Sequence, residues 1–275
     1  MKPPWRLSRD MDGKSAKRPA TLGRLAPPFL VLALLIGGWQ LAASTGAIAD
    51  ALSLEPFLVP SPAEIATSLW EDRVLLAENA WVTLKVVLLG FFCAVAVGFV
   101  FAAALHLSEA LRRAFYPLLV ASQTIPIVVI APILMIWFGF GIGPKLAIVA
   151  LICFFPITVN TIDGLRSVDP EAVKMMRGLD ASRSQIFCRL EAPTALPYFF
   201  SGAKVAVAVA VIAAVFGEWA SSDSGAAAGL GDLIFEDLAR LETARIFAAT
   251  AVLSAIAIAL FGLIAIAERR VVRWR

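Results

Sequence analysis

The side chains that most often perform catalysis or bind metals are scarce in this sequence and lie far apart. It has one histidine, His106, near the end of an apolar run. Its cysteines are too few and too scattered for a disulfide framework or a metal site: Cys93, Cys153 and Cys188. No His, Asp and Glu residues group into a catalytic cluster. We therefore expect no catalytic residues, no metal and no cofactor, and we do not expect an enzyme.

One short stretch resembles part of a phosphate-binding loop. Gly13-Lys14-Ser15 matches the end of the P-loop pattern, whose backbone amides hold phosphates. That pattern needs its first glycine at position 8, which is Ser8 here, and no strand precedes it. The stretch lies in a polar, basic tail whose composition favours disorder. Any ATP-driven activity would therefore need a separate ATPase chain.

Polar residues inside apolar runs are the remaining candidates, because such groups usually face protein or a water-filled cavity. Those that could line a pathway through a membrane are Gln123, Thr124, Asn160 and Glu218. The alternative for the first three is hydrogen bonding between helices, and for Glu218 a position at the outer membrane surface. Lys85 and Lys204 lie within about two turns of the ends of apolar runs, so their side chains can snorkel to the interface.

Composition indicates the class of protein that must position these residues. Of 275 residues, 60% are hydrophobic and 16% charged, and the mean hydropathy is +0.82. Soluble domains have about 45–50% apolar and 25% charged residues, and a membrane helix needs about 20 apolar residues. The net charge of +3 gives no indication of nucleic-acid binding. We predict an all-α polytopic membrane protein with six transmembrane helices, near residues 28–44, 81–105, 115–139, 145–162, 194–218 and 245–267.

Prolines and basic residues refine this prediction. Pro126 and Pro132 predict a kink in the third span. Eighteen of the 24 Lys and Arg residues lie in the tail, two alternate loops and the chain end, against four in the other loops. Short loops rich in Lys and Arg remain in the cytoplasm. We therefore expect a cytoplasmic side made of residues 1–27, 106–114, 163–193 and 268–275, and a periplasmic segment at 45–76.

The loop 163–193 is long enough to carry its own structure. Asp169 before Pro170 predicts a helix N-cap followed by proline at the first helical position. Ser182 and Gln185 match a capping box, so a second short helix should begin there.

These two short helices, joined near Asp180, would form a compact projection. Met175, Met176 and Leu179 would lie on a face that can enter a groove of a partner, although a passive surface connection is the alternative. The candidate partner-binding residues are Asp169, Glu171, Lys174, Met175, Met176, Arg177, Leu179, Asp180, Ser182 and Arg183.

The loop resembles the signature of permeases of binding-protein-dependent ABC importers, which docks on the ATPase. That signature reads Glu-Ala-Ala, three residues, Gly, nine residues, Ile, one residue, Leu-Pro. Here its register falls on Lys174-Met175-Met176, on Asp180 and on Leu190 to Pro193. The spacing and closing proline are kept, whereas the acidic start and the glycine are absent. Glycine there would end a helix in the left-handed conformation, which Asp adopts less freely.

The resemblance covers about residues 56–270. The stretch from Val59 to Glu64 is typical of the branch that includes permeases for nitrate, sulfonates, taurine and pyrimidine thiamin precursors, and Ser61 and Glu64 form a capping box for a short surface helix. Four stretches look most like thiamin-precursor (hydroxymethylpyrimidine) and related heteroaromatic permeases: Gly141 to Lys145, Cys153 to Asn160, Ala195 to Gly202 and Gly217 to Trp219.

The resemblance implies a type I ABC importer permease fold with a five-helix core at 77–267 and coupling loop 163–193. Such a subunit forms the pathway for a small solute in the bacterial inner membrane. The implied partners are ATPase subunits on residues 169–189, a periplasmic binding protein on loops 46–80 and 219–244, and a second permease copy, as a homodimer or with a paralogue. A secondary transporter or channel is the alternative class, but we find no clear inverted repeat.

Overall fold

Helices form nearly all of the fold in a computed structural model that describes residues 22–221 and 228–273, with side chains from Leu30 onward. The predicted basic tail before residue 22, including Gly13-Lys14-Ser15, lies outside the described residues. In chain order the elements are α1 (Leu22–Ser44), α2 (Ala47–Leu52), a 3-10 turn (Pro56–Leu58), α3 (Pro62–Glu71), α4 (Arg73–Leu107), α5 (Glu109–Ser122), α6 (Ile127–Phe138), α7 (Ile142–Arg166), α8 (Pro170–Gly178), α9 (Arg183–Ile186), a π-helical turn (Phe187–Glu191), α10 (Ala192–Ser221), α11 (Leu230–Arg240) and α12 (Thr243–Val271).

Local sequence fixes where several of these helices begin. At α3 the Ser61 amide donates to the Glu64 carboxylate at 2.7 Å, and the Glu64 amide donates to the Ser61 hydroxyl at 3.3 Å. At α5 the Leu111 amide donates to the hydroxyl of Ser108 at 3.4 Å. These contacts satisfy amide groups that the first turn of a helix leaves without partners.

The long apolar helices correspond roughly to the six predicted spans. Within the described residues, four are long and apolar enough to cross a membrane: α4, α7, α12 and the continuous helix from Arg183 to Ser221, which contains α10. The bent pair α5 and α6 makes a fifth if it is one span. Helix α1 contributes a shorter apolar stretch, Leu30–Ser44.

The third predicted span, 115–139, is a broken helix instead of a kinked one. Helices α5 and α6 meet at 103°. Pro126 precedes α6 with an extended backbone (φ −64°, ψ 132°), and a residue before proline is disfavoured in the helical conformation. Pro132 lies inside α6 without ending it. The break therefore follows from Pro126 and the turn before it, a larger change of direction than a kink.

Helix α7 packs against α4 on one side and α10 on the other, and small residues allow close approach. A Cβ atom added to Gly90 of α4 would lie 2.6 Å from the Val149 Cβ of α7. One added to Gly202 of α10 would lie 2.6 Å from the carbonyl oxygen of Pro156. The three helices therefore form one closely packed unit. We call the end of this unit that carries loop 163–193 the loop end, and the opposite end, where α10 finishes, the far end.

Candidate functional site

The first short helix of loop 163–193 starts as its sequence predicts. The Glu171 amide donates to the Asp169 carboxylate at 2.9 Å, and Pro170 is the first residue of α8. Lys174 donates to Glu171 at 2.8 Å on the exposed side of the helix. This cap confirms a structured loop.

Asp180 occupies the position where the related signature has glycine, and its backbone has a left-handed conformation with φ 57°. The Ala181 amide donates to the Met176 carbonyl at 3.0 Å, and the Asp180 amide donates to the Arg177 carbonyl at 3.0 Å. This is the Schellman pattern that glycine usually completes. Among the described residues the Asp180 carboxylate makes no hydrogen bond, so it does not cap the next helix.

The cap of α9 is made by Ser182. The Gln185 amide donates to the Ser182 hydroxyl at 3.3 Å, and the Ser182 amide donates to the Gln185 side-chain oxygen at 2.8 Å. The predicted capping box is therefore present, and it starts the helix that continues into α10.

The apolar surface of the loop is formed by two side chains one helical turn apart. Met175 is 65% exposed and Leu179 is 75% exposed, whereas Met176 is half-buried. Exposed apolar side chains flanked by charge are typical of a surface that binds another protein. Met176 contributes less to this surface than the sequence predicts. That the candidate loop residues bind a partner remains a prediction.

The predicted pathway residues Gln123 and Thr124 lie together at the break between α5 and α6, where both are exposed. The Thr124 hydroxyl donates to the Ala121 carbonyl at 2.8 Å, and the Gln123 amide nitrogen lies 3.4 Å from the Ser122 hydroxyl. These are contacts within one segment and not between helices.

Asn160 lies in α7, half-buried against Gly202 of α10. Its amide donates to the Pro156 carbonyl of its own helix at 2.8 Å. Along α10, Gly202 and Glu218 are separated by about 24 Å at 1.5 Å per residue. Asn160 and Glu218 therefore do not belong to one cluster, and a pathway role for each stays a prediction.

Glu218 is buried at the far end, where it contacts the start of α11. The Thr83 hydroxyl of α4 donates to one carboxylate oxygen at 2.9 Å, and the Gly231 amide donates to the other at 2.7 Å. The same Thr83 oxygen accepts the Leu230 amide at 2.8 Å. Glu218 and Thr83 thereby bind amides at the N-terminus of α11.

A buried ion pair lies beside them. Lys145 of α7 is 3.3 Å from Asp232 of α11, and both side chains are buried. The Gly229 amide also donates to Asp232 at 3.2 Å. We call Thr83, Lys145, Glu218 and Asp232 the far-end cluster. Its members come from four helices, and of them only Glu218 was among the predicted pathway residues.

The two lysines expected to snorkel also have specific partners. The Lys204 ammonium forms an ion pair with Glu268 of α12. The Lys85 ammonium lies 5.1 Å from the ring centre of Trp81. Both contacts are compatible with a position near the ends of spans, where a lysine stem lies along apolar surface.

These features define a multi-pass helical membrane protein with a structured loop at one end. Over residues 88–273 the chain matches the family described as binding-protein-dependent transport system inner membrane component, and it belongs to that family. It is 34% identical over 249 residues to the formylaminopyrimidine transport permease protein ThiX of Halalkalibacterium halodurans, covering 90% of this chain and 95% of that protein. It is 36% identical over 248 residues to the riboflavin transport system permease protein RibX of Chloroflexus aurantiacus, covering 89% and 88%.

Similarity extends to another branch member and to solved structures. The chain is 27% identical over 252 residues to the taurine transport system permease protein TauC of Escherichia coli, covering 88% of this chain and 87% of that protein. The MetNI methionine ABC transporter in an inward-facing conformation gives a TM-score of 0.61 at 19% identity, covering 74% of this chain and 97% of that chain. The fold is that of type I ABC importer permeases. The chain is a multi-pass inner membrane transport component, and membership implies an ATPase and a substrate-binding protein as partners.

Proposed function

We propose that this permease carries a pyrimidine thiamin precursor or a similar heteroaromatic solute delivered by a periplasmic binding protein. The observation that carries the proposal is 34% identity over 90% of the chain to a formylaminopyrimidine permease. A riboflavin permease at 36% identity supports the broader class, because its named solute also contains a heteroaromatic ring system. An aliphatic sulfonate such as taurine is the second candidate, favoured by the relative at 27% identity.

A binding experiment on the cognate binding protein tests the solute. The protein is purified free of ligand and titrated separately with formylaminopyrimidine, hydroxymethylpyrimidine, riboflavin and taurine. We expect tight binding of a pyrimidine or, within the broader class, of riboflavin. Uptake of the four solutes into liposomes that contain the whole transporter should rank them as their binding does. Tight binding of taurine alone would replace the proposal with the sulfonate alternative.

The proposal places the loop end in the cytoplasm and both termini on that side. Its support is the excess of Lys and Arg in the tail, in 106–114, in 163–193 and at the chain end. A reporter that works only in the cytoplasm should be active when fused after Arg275 and silent when inserted near Ser224, two sites outside the described residues. The reverse pattern would invert the proposed topology.

Within this topology, loop 163–193 is the element that binds the ATPase. Two capped short helices and the exposed pair Met175 and Leu179 support this role. The core at 77–267 would meet a second permease copy across the pathway, in a homodimer or with a paralogue. The binding protein would dock on the outer segments 46–80 and 219–244. ATP-driven closure of the ATPase subunits would then shift the permease between two access states.

A further inference from the structure

Two polar contacts join loop 163–193 to the loop end of α4, which is distant in sequence. The His106 Nε2 atom in the last turn of α4 lies 2.9 Å from the Glu191 carboxylate. The Arg183 guanidinium donates to the Leu107 carbonyl at 2.6 Å. A basic side chain at a helix C-terminus satisfies a carbonyl that has no partner within the helix and interacts favourably with the helix dipole. We call these two contacts the α4 link.

The α4 link lies beside an opening between α4 and the loop. An open-sided cavity of about 510 Å³ lies there, lined by His106, Arg177, Ala181, Arg183, Ile186 and Glu191. The cavity is open to solvent, so it adds no packing between the two sides, and beside it the ring centres of His106 and Phe187 lie 6.3 Å apart. By contrast, α7 and α10 are connected to the loop through the chain itself. Helix α4 is connected to the loop indirectly, through its packing against α7 and α10, and directly through the α4 link beside this cavity.

The π-helical turn at Phe187–Glu191 explains how one helix supplies both contacts. Residues eight apart in an ideal α-helix, such as Arg183 and Glu191, point about 80° away from each other at about 100° per residue. A π-helical turn takes up one extra residue, which reduces this difference to about 20°. Both side chains can therefore face the end of α4. Isolated π-helical turns occur frequently at functional positions.

We propose that the α4 link transmits displacement of loop 163–193 to α4, so that the loop end of α4 moves with the loop. His106, Glu191 and Arg183 are positioning residues in this role, because they act through the end of α4. The proposal rests on the proposed function, in which the ATPase moves the loop. Without the link, the loop would still bind the ATPase and move α7 and α10, and α4 would follow only through its packing against these two helices.

Spin-label distances test the link in the whole chain. Two native cysteines are first removed by Cys93→Ser and Cys188→Ser. Nitroxide labels are then attached to new cysteines at Leu107→Cys and Ser184→Cys. Labelled chains are diluted with unlabelled ones, so that only distances within one chain are measured. In lipid nanodiscs without ATPase, we expect a narrow distance distribution in the parent protein. It should broaden in His106→Ala/Glu191→Ala and become narrow again in the exchanged variant His106→Glu/Glu191→His. The matched control is Arg113→Ala, which removes an exposed ion pair with Glu109 at the same end. A distribution equally narrow in the alanine variant would overturn the inference.

A second measurement adds the ATPase with MgATP and orthovanadate. The 107–184 distance should stay constant in the parent protein and shift in the alanine variant, while the amount of co-purified ATPase is the same in both. An equal shift in parent and variant would also contradict the inference. Failure of the parent permease to co-purify with the ATPase would contradict the proposed role of the loop, which is a separate result from the distances in the permease alone.

Discussion

The two ends of the helical unit use similar charged side chains in different surroundings. At the far end, Lys145, Glu218 and Asp232 are buried, and they bind one another or backbone amides of 229–231. At the loop end, Arg183 is exposed, and His106 and Glu191 lie at the edge of a cavity. A buried ion pair is expensive to separate, whereas an exposed charged side chain such as Arg183 contributes less to stability. The comparison indicates that buried polar contacts fix α11 in place at the far end, and it agrees with the proposal that the loop end moves.

The largest expected effect comes from removing one charge at the far end. In Lys145→Met, the buried Asp232 carboxylate loses its ion pair with Lys145. Breaking a buried pair in this way costs about 3–5 kcal/mol. We expect a large decrease in the thermal stability of the purified permease in detergent.

The matched variant for this test is Lys145→Met/Asp232→Asn, which removes both charges. Its amide oxygen can still accept the Gly229 amide, so most of the stability should return. If the double variant is no more stable than the single one, charge burial is not what makes the far end rigid.

The exposed surface of the loop should show the opposite behaviour. Met175→Asp/Leu179→Asp should leave the stability of the permease unchanged, because both side chains are mainly exposed. Losing two apolar contacts with the ATPase should weaken its binding about a hundredfold, or about 3 kcal/mol. Co-purification of the two subunits measures this.

The control for the loop surface is Leu52→Asp/Leu54→Asp, a pair of exposed leucines in another part of the chain. It should not change ATPase binding. Unchanged co-purification in the Met175 and Leu179 variant would remove the loop surface from the docking site and with it the contrast between the two ends.

The smallest expected effect is at Asp180, where the backbone φ of 57° favours glycine. Asp180→Gly should stabilise the loop by about 1 kcal/mol, and Asp180→Val should destabilise it by a similar amount. Gly178→Ala is the control, since Gly178 ends α8 without a positive φ and has no atom within 4 Å of an added Cβ. Assembly with the ATPase and transport report the result. Equal assembly and transport in the Gly and Val variants would show that the backbone conformation at residue 180 does not affect the function of the loop.

Features set by neighbouring residues were predictable from the sequence, and features set by distant ones were not. The caps at Ser61, Asp169 and Ser182 depend on residues three or fewer positions away, and all three are present. The pairs Lys145–Asp232 and His106–Glu191 join residues 87 and 85 positions apart. Sequence identifies such side chains as unusual near apolar runs, but only the packing of α4, α7 and α10 decides which of them meet. The sequence predicted a change of direction near Pro126, but not one as large as 103°.

The break between α5 and α6 also limits what can cover this part of the helical surface in the assembled protein. Among the described residues, the carbonyl oxygens of Gln123 and Thr124 accept no hydrogen bond, and their side chains bond only within their own segment. Acyl chains offer no hydrogen-bond donors, and each unsatisfied carbonyl in hydrocarbon costs several kcal/mol. Wherever the break lies at membrane depth, hydration or another protein surface must cover it. Lipid is therefore excluded from the break, which water or a neighbouring protein surface must cover.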